Sequence, residues 1–191
     1  EHSFANYSFY LGFTDENTHE IKNINPRDLC GIKLFLGSST GNIVVNKRSS
    51  LEEIFKASPV PIACHCEDDQ IIQRNTRFYK EKYKGAIPIE CHPLIRSEEA
   101  CYKSSSLAVK LAQKYQAHLH ILHMSTAKEL TLMDKTRYTP RKNITAEACI
   151  HHLWFDDKDY KKYGTRIKWN PAIKTAYDRE RLMEGLKNNT V

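Results

Sequence analysis

Short apolar runs alternate along the chain with longer amphipathic segments. Apolar runs of about four to eight residues are typical of buried strands, and amphipathic segments of about ten or more are typical of helices. The short runs predict strands at 7–12, 31–36, 60–65, 117–123 and 143–148, with a weaker strand at 166–169. The longer segments predict helices at 50–57, 67–83, 97–116, 126–135 and 176–187. Strand and helix therefore follow each other along the whole chain.

The spacing of the predicted strands fits a parallel sheet. A unit of strand, helix and parallel strand takes about 30 residues, and four of the five intervals between strand starts are 23 to 29 residues long. The remaining interval, of 57 residues, has room for an insertion, which we place at 85–95 because this stretch carries two prolines. Alternating units of this kind form one α/β domain, either as an open doubly wound sheet or as a barrel.

Composition narrows the class of protein. With 40% hydrophobic and 27% charged residues the chain is an ordinary globular one, and no apolar run is long enough to span a membrane. The net charge is +6, and the lysines and arginines are interleaved with acidic residues along the chain. This arrangement argues against a nucleic-acid partner, which favours clustered positive charge. Six cysteines without a C-x-x-C pair favour reduced thiols in a cytoplasmic protein. The chain starts without Met or a signal peptide, so we expect a piece of a longer protein.

Three predicted strands carry a polar residue where a buried strand should be apolar. Lys33 shares a strand face with Gly31 and Phe35, His65 ends the next strand, and His123 ends the one after. By the same alternation His123 is expected on the face of Leu119 and Ile121. Each residue alone fits an exposed lysine or a structural histidine. Together they lie at the carboxyl ends of successive strands, where barrel enzymes place their active residues and where histidine suits zinc.

Five segments resemble the dihydroorotases of the amidohydrolase superfamily, in the family's order. They are GIKLFLGSSTGN at 31–42, CHCE at 64–67, LHILHMST at 119–126, TAEACIHHL at 145–153 and KWNPAIK at 168–174. The resemblance implies an α/β fold, part of a (β/α)8 TIM barrel of the metal-dependent hydrolase type. Such a barrel takes about 250 residues or more. We therefore expect residues 1–191 to form the central part of a single barrel domain, about strands three to seven.

The resemblance also implies the roles of particular residues. Lys33 would be carboxylated, catalytic and shared between two zinc ions, and His65 and His123 would be further zinc ligands. Asn170 would contact the substrate, and Ser39 and Thr40 would belong to a lid over it. The family's H-x-H pair on strand one and its aspartate after strand eight have no counterpart in the chain. His151 and His152 are adjacent, so we expect at most one of them to face the site.

Dihydroorotases close N-carbamoyl-aspartate to dihydroorotate reversibly, in pyrimidine biosynthesis. The resemblance thus implies an enzyme with a small-molecule substrate, bound zinc and no nucleic-acid or membrane partner, and it allows for a homo-oligomer. Two alternatives stay open. One is a related cyclic-amide hydrolase such as a hydantoinase, dihydropyrimidinase or allantoinase, although Asn170-Pro171 followed by a basic residue favours dihydroorotase. The other is a non-catalytic relative with a structural role.

Overall fold

A computed structural model describes residues 3–37, 44–133 and 143–191. Ser39 and Thr40, the predicted lid residues, lie outside these ranges. The strands are β1 (Tyr10–Gly12), β2 (Gly31–Phe35), β3 (Ile62–His65), β4 (Leu119–Ile121) and β5 (Ile144–Ala146). The α-helices are α1 (Arg48–Ala57), α2 (Asp69–Lys82), α3 (His92–Ile95), α4 (Glu98–Tyr115), α5 (Ile150–Trp154), α6 (Tyr160–Tyr163) and α7 (Ala176–Lys187). Short 3-10 segments cover Thr18–Asn23, Ile89–Cys91, Glu129–Leu132, Asp157–Asp159 and Gly164–Ile167.

The five strands form one parallel sheet in the order β1-β2-β3-β4-β5. Each strand pairs with the next one along the chain, so the expectation of a parallel sheet is confirmed. A doubly wound sheet reverses its strand order at a switch point, and this sheet does not. Sequential order is instead the arrangement of neighbouring strands in a barrel wall.

The register gives the sheet two different faces. Leu34, Cys64 and Ile121 lie side by side and are fully buried in the main hydrophobic core beneath the helices. On the opposite face, Lys33 is paired in register with Ala63, and Ala63 with His120. The apolar face therefore supplies the packing, and the other face carries the polar side chains that a site could use.

Side-chain caps fix where the longer helices begin. The Asp68 carboxylate accepts a hydrogen bond from the Ile71 amide at the start of α2. The Ser97 hydroxyl does the same for the Ala100 amide at the start of α4. Thr175 forms a capping box with Asp178 at the start of α7. Such caps satisfy amides that have no partner within the helix, and they explain why these helices start within about two residues of the prediction.

Two predicted elements are wrong. The weak strand at 166–169 is not one, because Gly164–Ile167 forms a 3-10 turn that buries Ile167 against Tyr160 and Ile173. The predicted helix at 126–135 contains only the 3-10 segment Glu129–Leu132 within its described residues. Its first turn is held by the buried Glu129 carboxylate, which accepts hydrogen bonds from nearby hydroxyl groups instead of facing water.

The insertion is where the prolines place it. Ile89–Cys91 and α3 lie between α2 and α4, and the Asn75 side chain of α2 donates to the carbonyls of Leu94 and Ile95 at 3.1 Å. In the part of the chain that the structure describes, no helix has both the length and the apolarity needed to cross a bilayer.

Candidate metal centre

Two histidines from neighbouring strands meet at the carboxyl end of the sheet. His65 is the last residue of β3, and His123 follows β4 by two residues. The Nδ1 atom of His65 lies 3.3 Å from the Nε2 atom of His123, and the two ring centroids are 4.9 Å apart. Burial, followed by the nearby charge of His65, lowers the pKa of His123 to about 3. His123 is therefore neutral at physiological pH, which is the form that binds metals.

His123 reaches this position because the strand ends before it. The sequence predicts His123 on the face of Leu119 and Ile121, and that prediction is wrong. β4 stops at Ile121, and His123 has a φ of 39°, in the left-handed region. Its amide donates to the Glu147 carboxylate at 3.3 Å. This turn in the backbone carries the imidazole across to His65, which the regular alternation of a strand would not do.

Lys33 lies on the same side of the sheet as His65. In register, Phe35 pairs with His65, and the Lys33 Nζ atom sits 4.1 Å above the Phe35 ring. The Nζ atom donates to the Leu34 carbonyl at 3.4 Å, and no carboxylate of the described residues lies within ion-pair distance of it. Burial lowers the pKa of Lys33. The amine is thus biased toward its uncharged, nucleophilic form.

A buried ion pair holds His65 from behind. The Nε2 atom of His65 donates to the Glu67 carboxylate at 2.8 Å, and the Arg96 guanidinium contacts the same carboxylate at 2.5 to 3.1 Å. The Glu67 side chain is fully buried. Although burial opposes ionisation, hydrogen bonds from His65 and the Arg96 charge lower the pKa of Glu67 to about 2. Glu67 stays charged, so it keeps the proton of His65 on Nε2 and leaves Nδ1 free as an acceptor.

The arrangement fits a zinc ion. Two imidazole nitrogens that each bind a tetrahedral zinc at about 2.0–2.1 Å are roughly 3.3 Å apart, which is the observed separation of His65 Nδ1 and His123 Nε2. Histidine ligands usually donate their second ring N–H to a carboxylate or carbonyl, as His65 does to Glu67. His123 Nδ1 is buried and has no hydrogen-bond partner among the described residues.

Comparison with known proteins finds similar dihydroorotases and a similar allantoinase. No family model matches the chain. It is 25% identical over 177 residues to a dihydroorotase of Methanosphaera stadtmanae, covering 91% of this chain and 39% of that protein. It is 28% identical over 160 residues to a dihydroorotase of Bacillus licheniformis, covering 82% and 34%. An allantoinase of Bacillus velezensis is 26% identical over 188 residues, covering 95% and 40%.

Solved structures show the fold. The L-hydantoinase (dihydropyrimidinase) of Arthrobacter aurescens superposes with a TM-score of 0.85 at 21% identity, covering 96% of this chain and 41% of that one. The dihydropyrimidinase of Brevibacillus agri superposes with a TM-score of 0.82 at 20% identity, covering 97% and 41%. The chain is similar to dihydroorotases, an allantoinase and dihydropyrimidinases, which are cyclic amidohydrolases. It has part of their (β/α)8 barrel, as expected, and spans about two fifths of the curated relatives or less.

The other predicted site residues are placed differently. Asn170 lines a cavity of about 340 Å³ together with His92, Arg96 and Lys168, and none of Lys33, His65 and His123 lines it. The cavity is connected to the histidine pair through Arg96, whose guanidinium binds Glu67. The basic residue of the same segment, Lys174, is buried and donates to the carbonyl of Ala172 and the hydroxyl of Ser125. Its ammonium group therefore binds groups of the protein itself.

Sequence reasoning missed the residues that support the histidine pair. Glu67 could have been found, because it follows His65 by only two residues in the CHCE segment. Arg96 could not, because it directly follows the insertion, 29 residues from Glu67 along the chain. Glu147 binds the His123 amide and also the His120 ring, at 3.2 Å. From the sequence, Glu147 is recognisable only as the glutamate of the T-A-E segment, and that segment does not indicate these contacts.

We expect the metal-free protein to lose stability as the pH falls below neutrality. Burial lowers the pKa of His152 from 6.5 to about 4, and the pKa of Glu67 is lowered from 4.5 to about 2. Both groups bind protons more readily when unfolded. Stability is therefore complete above about pH 6.5. It falls first through His152 and His123, whose pKa is lowered to about 3, and then, below about pH 4.5, through Glu67, by on the order of 3 to 5 kcal/mol each. Urea unfolding at a series of pH values measures this loss.

Two variants test whether His152 causes the loss of stability in the upper part of this pH range. His152→Gln should make the decline between about pH 6.5 and 4 shallower, because one of the two buried titrating histidines is gone while His123 remains. His19→Gln should leave the curve unchanged, since the His19 side chain is 71% exposed. A decline that is the same in both variants would show that His152 is not its source.

Proposed function

We propose that the protein carrying this chain is a zinc-dependent dihydroorotase, and that residues 1–191 form the central part of its barrel. The observation that carries the proposal is the His65–His123 pair at 3.3 Å, backed by Glu67 and adjoined by Lys33. The dihydroorotases of M. stadtmanae and B. licheniformis, which match 91% and 82% of this chain, support the choice of substrate.

Three residues would hold the metal in this proposal. His65 and His123 present neutral ring nitrogens, and Lys33 would be carboxylated on Nζ and supply an anionic oxygen donor to two zinc ions. An uncharged amine is the form that adds to carbon dioxide, and burial shifts Lys33 toward that form. When bound, zinc supplies Lewis-acid activation of water and of the scissile carbonyl. A carbamate would also offset part of the charge of the two cations, which otherwise opposes their burial.

The remaining residues orient the ligands and the substrate. Glu67 fixes the proton of His65 on Nε2, and Arg96 keeps Glu67 ionised. Asn170, which lines the 340 Å³ cavity, would contact the substrate in this proposal. Ser39 and Thr40 complete the proposed substrate contacts as lid residues. In the hydrolytic direction the ring amide C–N bond breaks, water supplies the hydroxyl of the new carboxylic acid, and the ring nitrogen takes up the proton.

The cellular setting follows from the same proposal. The reaction belongs to pyrimidine biosynthesis, with carbamoyl-aspartate and dihydroorotate as the small-molecule partners. All six cysteines are free thiols, which suits a reducing compartment such as the cytoplasm. The remaining strands of the barrel would cover the edges of this sheet, and the proposal allows for a homo-oligomer of the whole protein.

A second candidate is a hydantoinase- or allantoinase-type activity. It is favoured by the TM-score of 0.85 with the Arthrobacter L-hydantoinase and by the 26% identity with the Bacillus velezensis allantoinase. These reactions also open a cyclic amide. The proposed metal ligands would serve either reaction equally well. The two candidate activities therefore differ in the residues that contact the substrate.

Turnover of the intact purified protein on dihydroorotate, hydantoin and allantoin tests the proposal. We expect kcat/KM for dihydroorotate to exceed that for the other two by at least about 100-fold, because a site that hydrogen-bonds its substrate rejects rings lacking those groups. Chelation should abolish turnover, and added zinc should restore it. Faster opening of hydantoin or allantoin would favour the second candidate. Bound zinc without turnover of any ring would indicate a non-catalytic relative.

A further inference from the structure

A second cluster of metal-binding side chains lies at the start of α5. Cys149, His151 and His152 each offer one ligand atom, and these atoms all lie within 4.8 Å of one another. They share no residue with the proposed zinc centre of Lys33, His65 and His123. The sequence predicts that the adjacent histidines diverge, yet their ring centroids are only 4.3 Å apart.

His152 has the hydrogen bonding of a metal ligand. Its Nε2 atom lies 3.0 Å from the carbonyl oxygen of Pro171. A carbonyl only accepts hydrogen bonds, so Nε2 carries the proton and Nδ1 is a bare lone pair. The residue is 3% exposed, and Nδ1 has no partner among the described residues. A buried acceptor without a donor costs stability, whereas a ring N–H directed at a backbone carbonyl is what orients metal-binding histidines.

The other two residues complete the donor set. The His151 ring is stacked on the Trp169 ring, with centroids 4.4 Å apart and an interplanar angle of 17°, so its orientation is fixed. Cys149 directly precedes α5, and its carbonyl accepts from the His152 amide at 2.9 Å. Both side chains are half-buried, so an ion can enter and the ligand atoms can close by about 1 Å to zinc-like separations.

We propose that Cys149, His151 and His152 form a second binding site for a zinc-like divalent transition metal. One thiolate and two imidazoles are ligands that zinc and cobalt accept, and calcium and magnesium do not. The Cys149 thiol gives up its proton to solvent when the metal binds. The fourth position is left for water or another ligand.

The proposed site connects the start of α5 to the 169–171 segment. His152 is hydrogen-bonded to Pro171, and His151 is stacked on Trp169. A metal held by both histidines would therefore fix the start of α5 against the 169–171 segment, which contains Asn170. The expected result of metal binding is a more stable segment on the wall of the 340 Å³ cavity.

Cobalt titration of the intact, metal-stripped protein tests the site. Thiolate ligation to Co²⁺ gives a near-ultraviolet charge-transfer absorption, and the proposed centre of Lys33, His65 and His123 contains no thiol. We expect this absorption in the unmodified protein, its loss in Cys149→Ser with one fewer ion bound, and its retention in Cys30→Ser. Cys30 is an exposed free thiol and serves as the matched control.

A second variant guards against misfolding. His151→Ala removes a half-buried ring that holds no backbone group in place, and circular dichroism can verify its fold. We expect it to weaken cobalt binding at this site by at least about 100-fold, since even the loss of a supporting group around a metal costs about 10- to 100-fold. The site would be overturned by absence of the absorption in the unmodified protein, by its persistence in Cys149→Ser, or by unchanged affinity in His151→Ala.

Discussion

Replacing Lys33 with arginine is expected to abolish metal-dependent hydrolysis as completely as replacing it with alanine. If Lys33 acts as a carboxylated amine, a guanidinium cannot take its place, although it keeps the positive charge. We expect kcat/KM to fall by at least about 1,000-fold in both variants, which corresponds to roughly 4 kcal/mol of transition-state stabilisation. Metal analysis should show loss of bound zinc in parallel.

The fold should survive these substitutions. Lys33 is half-buried and has no carboxylate of the described residues within ion-pair distance, so its removal should change the free energy of unfolding by less than about 1 kcal/mol. Lys22→Arg, at an exposed position, is the matched control and should keep both metal and activity. If Lys33→Arg kept full turnover and zinc, Lys33 would act only as a cation, and the carboxylated role would be wrong.

The sheet was the most predictable part of the fold. Apolar runs separated by amphipathic segments fixed the existence and parallel order of the strands, because each run must bury one face against helices. Helix starts were nearly as predictable, since Asp68, Ser97 and Thr175 are capping residues whose preference is local. The strand predicted at 166–169 was wrong because this segment has no apolar run to bury against helices. Its single buried residue, Ile167, packs into a small cluster rather than into the sheet.

The candidate site was predictable only as far as its residues lie on regular structure. Lys33 and His65 are within strands, so alternation gave their face correctly. His123 lies beyond the end of β4 with a positive φ, where alternation no longer applies. Arg96 reaches Glu67 from a distant part of the chain. Such contacts depend on how the insertion packs, and no local pattern encodes that.

The buried ion pair of Glu67 and Arg96, in which Glu67 contacts His65, links stability to the proposed metal centre. Glu67 gives His65 a fixed proton, and Arg96 keeps Glu67 charged in a place without water. Removing Glu67 or Arg96 therefore disturbs the other member of the ion pair and His65. The ion pair is therefore the point at which a substitution outside the proposed metal ligands should have the largest effect on both fold and site.

Arg96→Met is expected to destabilise the protein by about 3–5 kcal/mol, because it leaves the fully buried Glu67 carboxylate without its guanidinium. Urea unfolding measures the loss, and zinc affinity should fall by about 10- to 100-fold as His65 loses its fixed partner. Arg74→Met is the matched control. It breaks another Arg–Glu pair, with Glu99 at 3.0 Å, but both side chains are more than 60% exposed, so it should cost less than about 1 kcal/mol.

Two further measurements identify the buried charge as the cause. Glu67→Gln combined with Arg96→Met should be more stable than Arg96→Met alone, since a neutral amide leaves no uncompensated charge. The excess loss in Arg96→Met should also shrink as the pH is lowered toward 4, because without Arg96 the pKa of Glu67 rises and the carboxylate becomes neutral there. Equal costs for Arg96→Met and Arg74→Met at neutral pH would contradict this account. The support of His65 would then come from packing and not from the ion pair.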